Sequence, residues 1–184
     1  MAEPQITLYR DTNFGGRAVT LSTCGSANLG VDYNFNDQTS SIRVASGIWL
    51  VYDDANFAGA CYVLRPGEYS TPDKWGGNND TLSAVRPLAG NPGDRMIMLF
   101  QDSNYGGRMV PFTQSLANFE TIDFNDTASS AIVLGDTWYL YKDANFSGTT
   151  WPVSPESGPG QNGFIPQAGS TFGNDEVSSI NPGS

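Results

Sequence analysis

The sequence predicts an all-β chain of four repeated units grouped into two domains, and three observations carry that reading. The motif Asn-Asp-x-x-Ser occurs four times, beginning at Asn36, Asn79, Asn125 and Asn174. Each copy follows an aromatic, turn, aromatic, glycine segment that reads as a tight hairpin between short alternating runs. The internal spacing also repeats, with 27 residues from Tyr9 to Asn36 and 27 from Tyr52 to Asn79. Recurrence at a fixed spacing means that the units share a fold and not merely a motif.

The first unit opens with the alternating run Ile6-Thr7-Leu8-Tyr9. It turns at Arg10-Asp11-Thr12-Asn13-Phe14-Gly15-Gly16, resumes alternation at Val19 and Leu21, and passes through its motif into Ile42-Arg43-Val44. Four short strands in about 40 residues is the count of one Greek key. The second unit repeats this with Trp49-Leu50-Val51-Tyr52, the turn Asp53-Asp54-Ala55-Asn56-Phe57-Ala58-Gly59, and Tyr62 and Leu64. The third carries Leu99-Phe100, the turn Gln101 to Gly107, and Val110 and Phe112. The fourth carries Tyr139-Leu140-Tyr141, the turn Lys142 to Gly148, and Trp151 and Val153. Its Pro/Gly-rich run from Ser154 to Gly173 reads as a surface loop insertion.

Units one and three share Gly-Gly-Arg, whereas units two and four share Asp-Ala-Asn-Phe-x-Gly and a Trp three residues before the Tyr. The order is A-B-A-B, and Ala89-Gly90-Asn91-Pro92-Gly93-Asp94 has the composition of a linker. The expected domains are therefore residues 1–89 (Greek keys one and two) and 96–184 (Greek keys three and four), with 90–95 between them.

Composition narrows the function. A net charge of −10 argues against nucleic acid or an anionic membrane as partner, since both require a basic surface. Of 19 acidic residues 14 are Asp, which favours turns, caps and short-armed cation sites over helix interiors. The absence of histidine excludes Ser-His-Asp and Cys-His catalysis as well as histidine-ligated zinc. Cys24 and Cys61 provide no disulfide framework; they read as small core residues, with a bridge inside the first domain as the alternative. The start of the sequence carries no secretory signal pattern, so a cytoplasmic location is expected.

A single Asn-Asp-x-x-Ser is ordinarily an Asx turn or a helix cap. Four copies in step with four hairpins favour a shared role, and their amide, carboxylate and hydroxyl oxygens suit Ca²⁺ better than a transition metal. Hairpin and motif together resemble the βγ-crystallin superfamily in its microbial, calcium-binding branch. The aromatic pairs Tyr9/Phe14, Tyr52/Phe57, Phe100/Tyr105 and Tyr141/Phe146, with Gly16, Gly59, Gly107 and Gly148, carry that resemblance over nearly the whole chain.

The resemblance implies two βγ-crystallin-like β-sandwich domains, each of two Greek-key motifs, with two calcium sites between paired motifs. One site of the first domain would use the Gln38 carbonyl, Ser40 and Asp80, and its mate the Thr81 carbonyl, Ser83 and Asp37. The second domain would use the Thr127 carbonyl, Ser129 and Asp175, then the Glu176 carbonyl, Ser178 and Asp126. A further carbonyl would come from each hairpin, at Arg10, Asp53, Gln101 and Lys142. Ala84 departs from the pattern at the sixth motif position, where serine braces the hairpin, so a looser second hairpin is expected. With one carboxylate per site, affinity on the order of micromolar or weaker is expected.

The resulting expectation is a non-enzymatic, calcium-binding protein with a structural or stress-protective role, monomeric or weakly dimeric through domain pairing. A secreted toxin or a carbohydrate-binding module on the same fold is the alternative, followed by a carboxylate-only hydrolase. Trp49, Trp75, Trp138 and Trp151 suggest a sugar-stacking platform less than they suggest core packing, because Trp49 and Trp138 occupy equivalent strand positions. Asp53-Asp54 as a catalytic pair is disfavoured because Asp54 matches the hairpin Asp of every other repeat.

Overall fold

The computed structural model describes residues 3–183, so the first two residues of the first expected domain and the last of the second lie outside it. The chain divides into two compact units, Met1–Ala89 and Gly90–Ser184, each with its own apolar core.

In the first unit the strands are β1 (Gln5–Asp11), β2 (Gly15–Ser22), β3 (Ser41–Ser46), β4 (Trp49–Asp54), β5 (Ala58–Leu64), β6 (Gly67–Tyr69) and β7 (Ala84–Pro87), with one helix, α1 (Leu29–Tyr33). Alternation dictates the faces: Ile6 and Leu8 of β1 are fully buried while their neighbours are not. The strands form one sheet in the order β2-β1-β3-β6 and a second in the order β5-β4-β7. Ile6, Leu8, Ile42 and Val44 from the first meet Trp49, Val51, Leu64 and Val85 from the second, giving a two-sheet sandwich with one core.

Neither repeat completes its own sheet. β6 belongs to the second repeat yet pairs with β3 of the first, and Ser26 of the first repeat bridges Val85 of the second. The second unit repeats this exchange. Its strands are β8 (Ile97–Phe100), β9 (Met109–Phe112), β10 (Ser130–Val133), β11 (Trp138–Asp143), β12 (Ser147–Val153), β13 (Phe164–Ile165) and β14 (Ser179–Pro182). They form sheets β13-β10-β8-β9 and β12-β11-β14, with Leu116 bridging Ile180. Trp49 and Trp138 are fully buried, and each indole N–H donates to the backbone carbonyl three residues before it, of Ser46 and Gly135, at 3.1 Å. Their equivalence is one of core packing.

Two expectations require correction. The run from Ser154 to Gly173 is not simply a surface insertion: it holds β13, which pairs Ile165 with Ala131, and it sends Ile165, Ala168 and Phe172 into the core. The short apolar groups are hidden among glycines and prolines, but the sheet of the third repeat needs this strand. Second, the cysteines are unpaired and neither is a core residue: Cys24 is exposed, and Cys61 is half-buried on β5. Residues 90–95 also fold onto the second unit, where Gly93 N–H donates to the Leu134 carbonyl and Arg95 pairs with Asp136 at 3.4 Å.

The Gly-Gly-Arg signature of the odd repeats gains a physical reason. In the first unit Asn28 caps α1 by accepting from Val31 N–H, and Asn34 ends it in the left-handed region. The Arg17 guanidinium then donates to the last carbonyls, of Tyr33 and Asn34, at 2.6 and 3.0 Å. Arg108 does the same for Ile122 and Asp123 at 2.8 Å, closing the short helical turn Phe119–Ile122.

Phe172→Ala should destabilise the second unit by about 3–5 kcal/mol in denaturant unfolding, as for other buried aromatics. Gln167→Ala, at an exposed position in the same run, should stay within about 0.5 kcal/mol. Burial pushes the Cys61 thiol up to about 12. Because the thiolate is the reactive form, maleimide at pH 8 should label exposed Cys24 and reach Cys61 only on unfolding. The sign for stability is also set: the folded state keeps the Cys61 proton that the unfolded chain releases above about pH 8.5, so this group favours unfolding as pH rises beyond that point.

Candidate metal centre

Each hairpin folds over through two consecutive residues in the left-handed region: Asn13-Phe14, Asn56-Phe57, Asn104-Tyr105 and Asn145-Phe146, with φ between 54 and 64°. Asparagine tolerates this conformation, but an aromatic does not without compensation. The ring supplies it by packing edge-on against the first aromatic of its repeat at 5.5–5.8 Å between centroids. The next turn passes directly over the hairpin Asp. A side chain on Gly16, Gly59 or Gly107 would come within 2.6 Å of the carboxylate of Asp11, Asp54 or Asp102, and Asp143 closes Gly148 in the same way. Asp54 is thus a hairpin residue, with three counterparts.

The sixth motif residue ties the motif to this hairpin. Ser41, Ser130 and Ser179 are fully buried. Their hydroxyls donate to the carbonyls of Asp11, Asp102 and Asp143, and accept from the N–H of Phe14, Tyr105 and Phe146. Ala84 cannot make either bond. The second hairpin is nevertheless not looser in geometry: its Asp54–Ala58 pairing matches Asp11–Gly15 and Asp143–Ser147, and its ring contact matches those of the other repeats.

The motifs meet in pairs across the repeats. The second residue, Asp37, Asp80, Asp126 or Asp175, has φ of 50–55° and sends its N–H to the fourth residue of the partner motif. The acceptors are the carbonyls of Leu82, Thr39, Val177 and Ala128, at 3.1–3.2 Å. The Asn before each Asp donates its side-chain N–H to that carboxylate at 2.6–2.9 Å, fixing its direction. The fifth-residue hydroxyls then reach across: Ser40 to Asp80 at 3.3 Å, Ser83 to Asp37 at 3.2 Å, Ser129 to Asp175 at 2.8 Å and Ser178 to Asp126 at 3.1 Å.

Four hydroxyl–carboxylate pairs are therefore brought together, two in each unit, in the crossed pattern of the sequence reading. In the first unit they lie in two shallow cavities. Arg10, Gln38, Ser40 and Asp80 line one, while Asp53, Thr81, Ser83 and Asp37 line the other. In the second unit Gln101, Thr127, Lys142 and Glu176 hold the same register positions. The serines are buried and the aspartates exposed, so each cavity opens to solvent over a polar floor. Among the described residues no group of three or more acidic or sulfur or imidazole side chains is placed to hold a metal, so any ion here would rest on one carboxylate and neutral oxygens. That donor set is entirely hard oxygen, and it fits Ca²⁺ or a similar hard cation.

Two side chains at this hairpin position have partners that their residue types alone do not announce. The Asp53 carboxylate accepts from Thr81 Oγ1 at 2.9 Å and from the Tyr62 hydroxyl at 3.3 Å. Lys142 pairs with Glu176 at 3.5 Å. The signal available was the change of charge at one hairpin position, Arg10, Asp53, Gln101 and Lys142, within otherwise matching repeats.

Known proteins resemble this chain in sequence and in fold. The sequence model of the Beta/Gamma crystallin family matches residues 5–88 and 96–182. Gamma-crystallin D of Rattus norvegicus is 34% identical over 152 residues, covering 82% of this chain and 84% of its own. A Beta/gamma-crystallin of Ciona intestinalis is 49% identical over 82 residues, covering 45% of this chain and 95% of its own. Among solved structures, Geodin, a beta-gamma crystallin from Geodia cydonium, shares the fold with a TM-score of 0.72 at 20% identity, over 99% of this chain and 100% of that one.

Ser130→Ala removes the bond to Asp102 and leaves the buried Tyr105 N–H without its serine acceptor. It should destabilise the second unit by about 1–3 kcal/mol in thermal or denaturant melts. The converse change, Ala84→Ser, should be neutral or stabilising by about 1 kcal/mol, because carbonyl and N–H partners stand at the equivalent place.

Proposed function

Because the chain belongs to the βγ-crystallin family, we propose that it is a non-enzymatic calcium-binding protein, taking up to two Ca²⁺ in each unit, in which calcium stabilises the fold in a structural or stress-protective role. The observation that carries this reading is the fourfold crossed placement of a serine hydroxyl on the carboxylate of the partner motif. A bound calcium ion would supply positive charge between oxygens of two different repeats.

The residues divide the work. The Asp carboxylates provide the charge, the Ser hydroxyls and the third-residue carbonyls provide neutral oxygens, and the Asn side chains hold the carboxylates in place. Since every pair of oxygens spans both repeats, an occupied site favours the folded unit. Binding to the folded state alone contributes about 2.7 kcal/mol per site at a calcium concentration of about 100 times Kd. Four ions would also bring the net charge of −10 to roughly −2, relieving repulsion among the acidic loops. The absence of histidine and the repeat-spaced placement of the acids support a non-catalytic reading.

Calorimetric titration of chelator-treated protein with CaCl₂, paired with melts in calcium and in chelator, tests the reading. Heat of binding and a raised Tm are expected; no heat with an unchanged Tm would refute it while leaving the fold intact. Asp175→Asn keeps a residue that tolerates the left-handed backbone. It should weaken one site in the second unit, the one completed by Ser129, and leave the first unit at its full complement.

A further inference from the structure

Building on the calcium reading above, we propose that the four sites are unequal and that the side chain just before the hairpin Asp sets their order. Asp53 makes the Thr81–Ser83–Asp37 site the tightest. Arg10 makes the Gln38–Ser40–Asp80 site of the same unit the weakest.

The frame of the four sites is uniform, since each has the same backbone bonds, the same Asn brace and the same crossed hydroxyl. What differs is one position contributed by the hairpin, occupied by Arg10, Asp53, Gln101 and Lys142. In the even repeats its side chain contacts the third residue of the same repeat's motif. Asp53 does so through the Thr81 hydroxyl, and Lys142 through the Glu176 carboxylate.

Charge distinguishes the two cavities of the first unit. The cavity at Thr81 and Ser83 is lined by Asp37, Asp53, Asp54 and Asp80 and by no basic residue. The cavity at Gln38 and Ser40 is lined by Asp11, Asp37 and Asp80 and also by Arg10. Asp37 and Asp80 line both, so they do not discriminate. In the second unit Gln101 is neutral, and Lys142 is offset by Glu176 beside it. Those two sites fall between the extremes of the first unit.

The second carboxylate is held in place. Tyr62 and Thr81 both donate to Asp53, which is only partly exposed on β4. Asp53 acts through its field on the cavity it lines and is a specificity-determining residue there. A unit charge and a divalent ion about 6 Å apart in water-like surroundings interact strongly enough to change Kd about tenfold.

The test is calcium calorimetry on the whole chain at low salt, comparing the native protein with Asp53→Asn and Arg10→Gln. The native isotherm should resolve a tight class of one ion and a weak class of one ion. Asp53→Asn should weaken the tight class about tenfold, and Arg10→Gln should tighten the weak class by a similar factor. Raising the salt should narrow the gap between them in the native protein. Four equal sites, or substitutions that leave the isotherm unchanged, would overturn the inference while the calcium reading stood. A native chain that takes up no calcium would overturn the calcium reading itself. Arg10 is exposed, so Arg10→Gln decides the matter even if Asp53→Asn disturbs folding.

Discussion

The fold depends on the reciprocal brace between paired motifs. In each unit, the second residue of one motif donates its N–H to the fourth residue of the other, and the other returns the bond. The hairpins add a second exchange. Asn13 N–H docks on Ser70 and Asn56 N–H on Ala27, while Asn104 and Asn145 dock on Pro166 and Ala117. A repeat on its own would leave these donors and its fourth strand position without partners, and unmade backbone bonds are expensive once buried. Two repeats per unit is therefore the smallest arrangement that satisfies the backbone. The same constraint puts oxygens from both repeats at each cavity.

Much of this was legible because it is local and periodic. The hairpin needs glycine where Asp11, Asp54, Asp102 or Asp143 lies against it, an Asn that accepts positive φ, and an aromatic to pack, so the requirements are written as residue types at set spacing. The crossed partners of Ser40 and Ser83 were reachable through the family resemblance. Other features depend on contacts far along the chain. β13 carries only Phe164 and Ile165, and its identity as a strand is decided by β10, not by its own composition. Arg17 and Arg108 were visible as a signature, but the carbonyls that they cap lie 14 to 17 residues away. Cys61 looked like a core residue because cysteine is so often buried, yet it falls on β5, at the edge of its sheet.

The donor chemistry has a consequence for conditions. Thiolate and imidazole sites release protons when metal binds, whereas hydroxyl and carbonyl oxygens do not. Binding at cavities of this kind depends on pH only through the carboxylates. The Ser–Asp bonds give each of these buried hydroxyls a carboxylate partner. On the calcium reading, an ion competes with those hydrogen bonds as well as with water.

The one break in the fourfold pattern shows how the brace can be replaced. Ala84 removes two hydrogen bonds from the second hairpin, together worth roughly 1–3 kcal/mol at typical values. Two residues on, Arg86 is buried, its guanidinium lies 4.3 Å from the Phe57 ring and 5.3 Å from the Tyr52 ring, and its Nε–H donates to the Tyr52 hydroxyl. Arg43 makes the corresponding stack on Phe14 at 3.9 Å in the first hairpin, but it is half-exposed and that hairpin still has Ser41. In the second unit Ile132 and Asn181 occupy these positions, and Ser130 and Ser179 hold the hairpins. A desolvated cation over an aromatic face is worth about 2 kcal/mol, of the same order as the lost bonds. The deeper burial of Arg86 at the repeat that lacks serine accounts for a second hairpin with unchanged geometry. It also keeps in place the hairpin that presents Asp53 to its cavity.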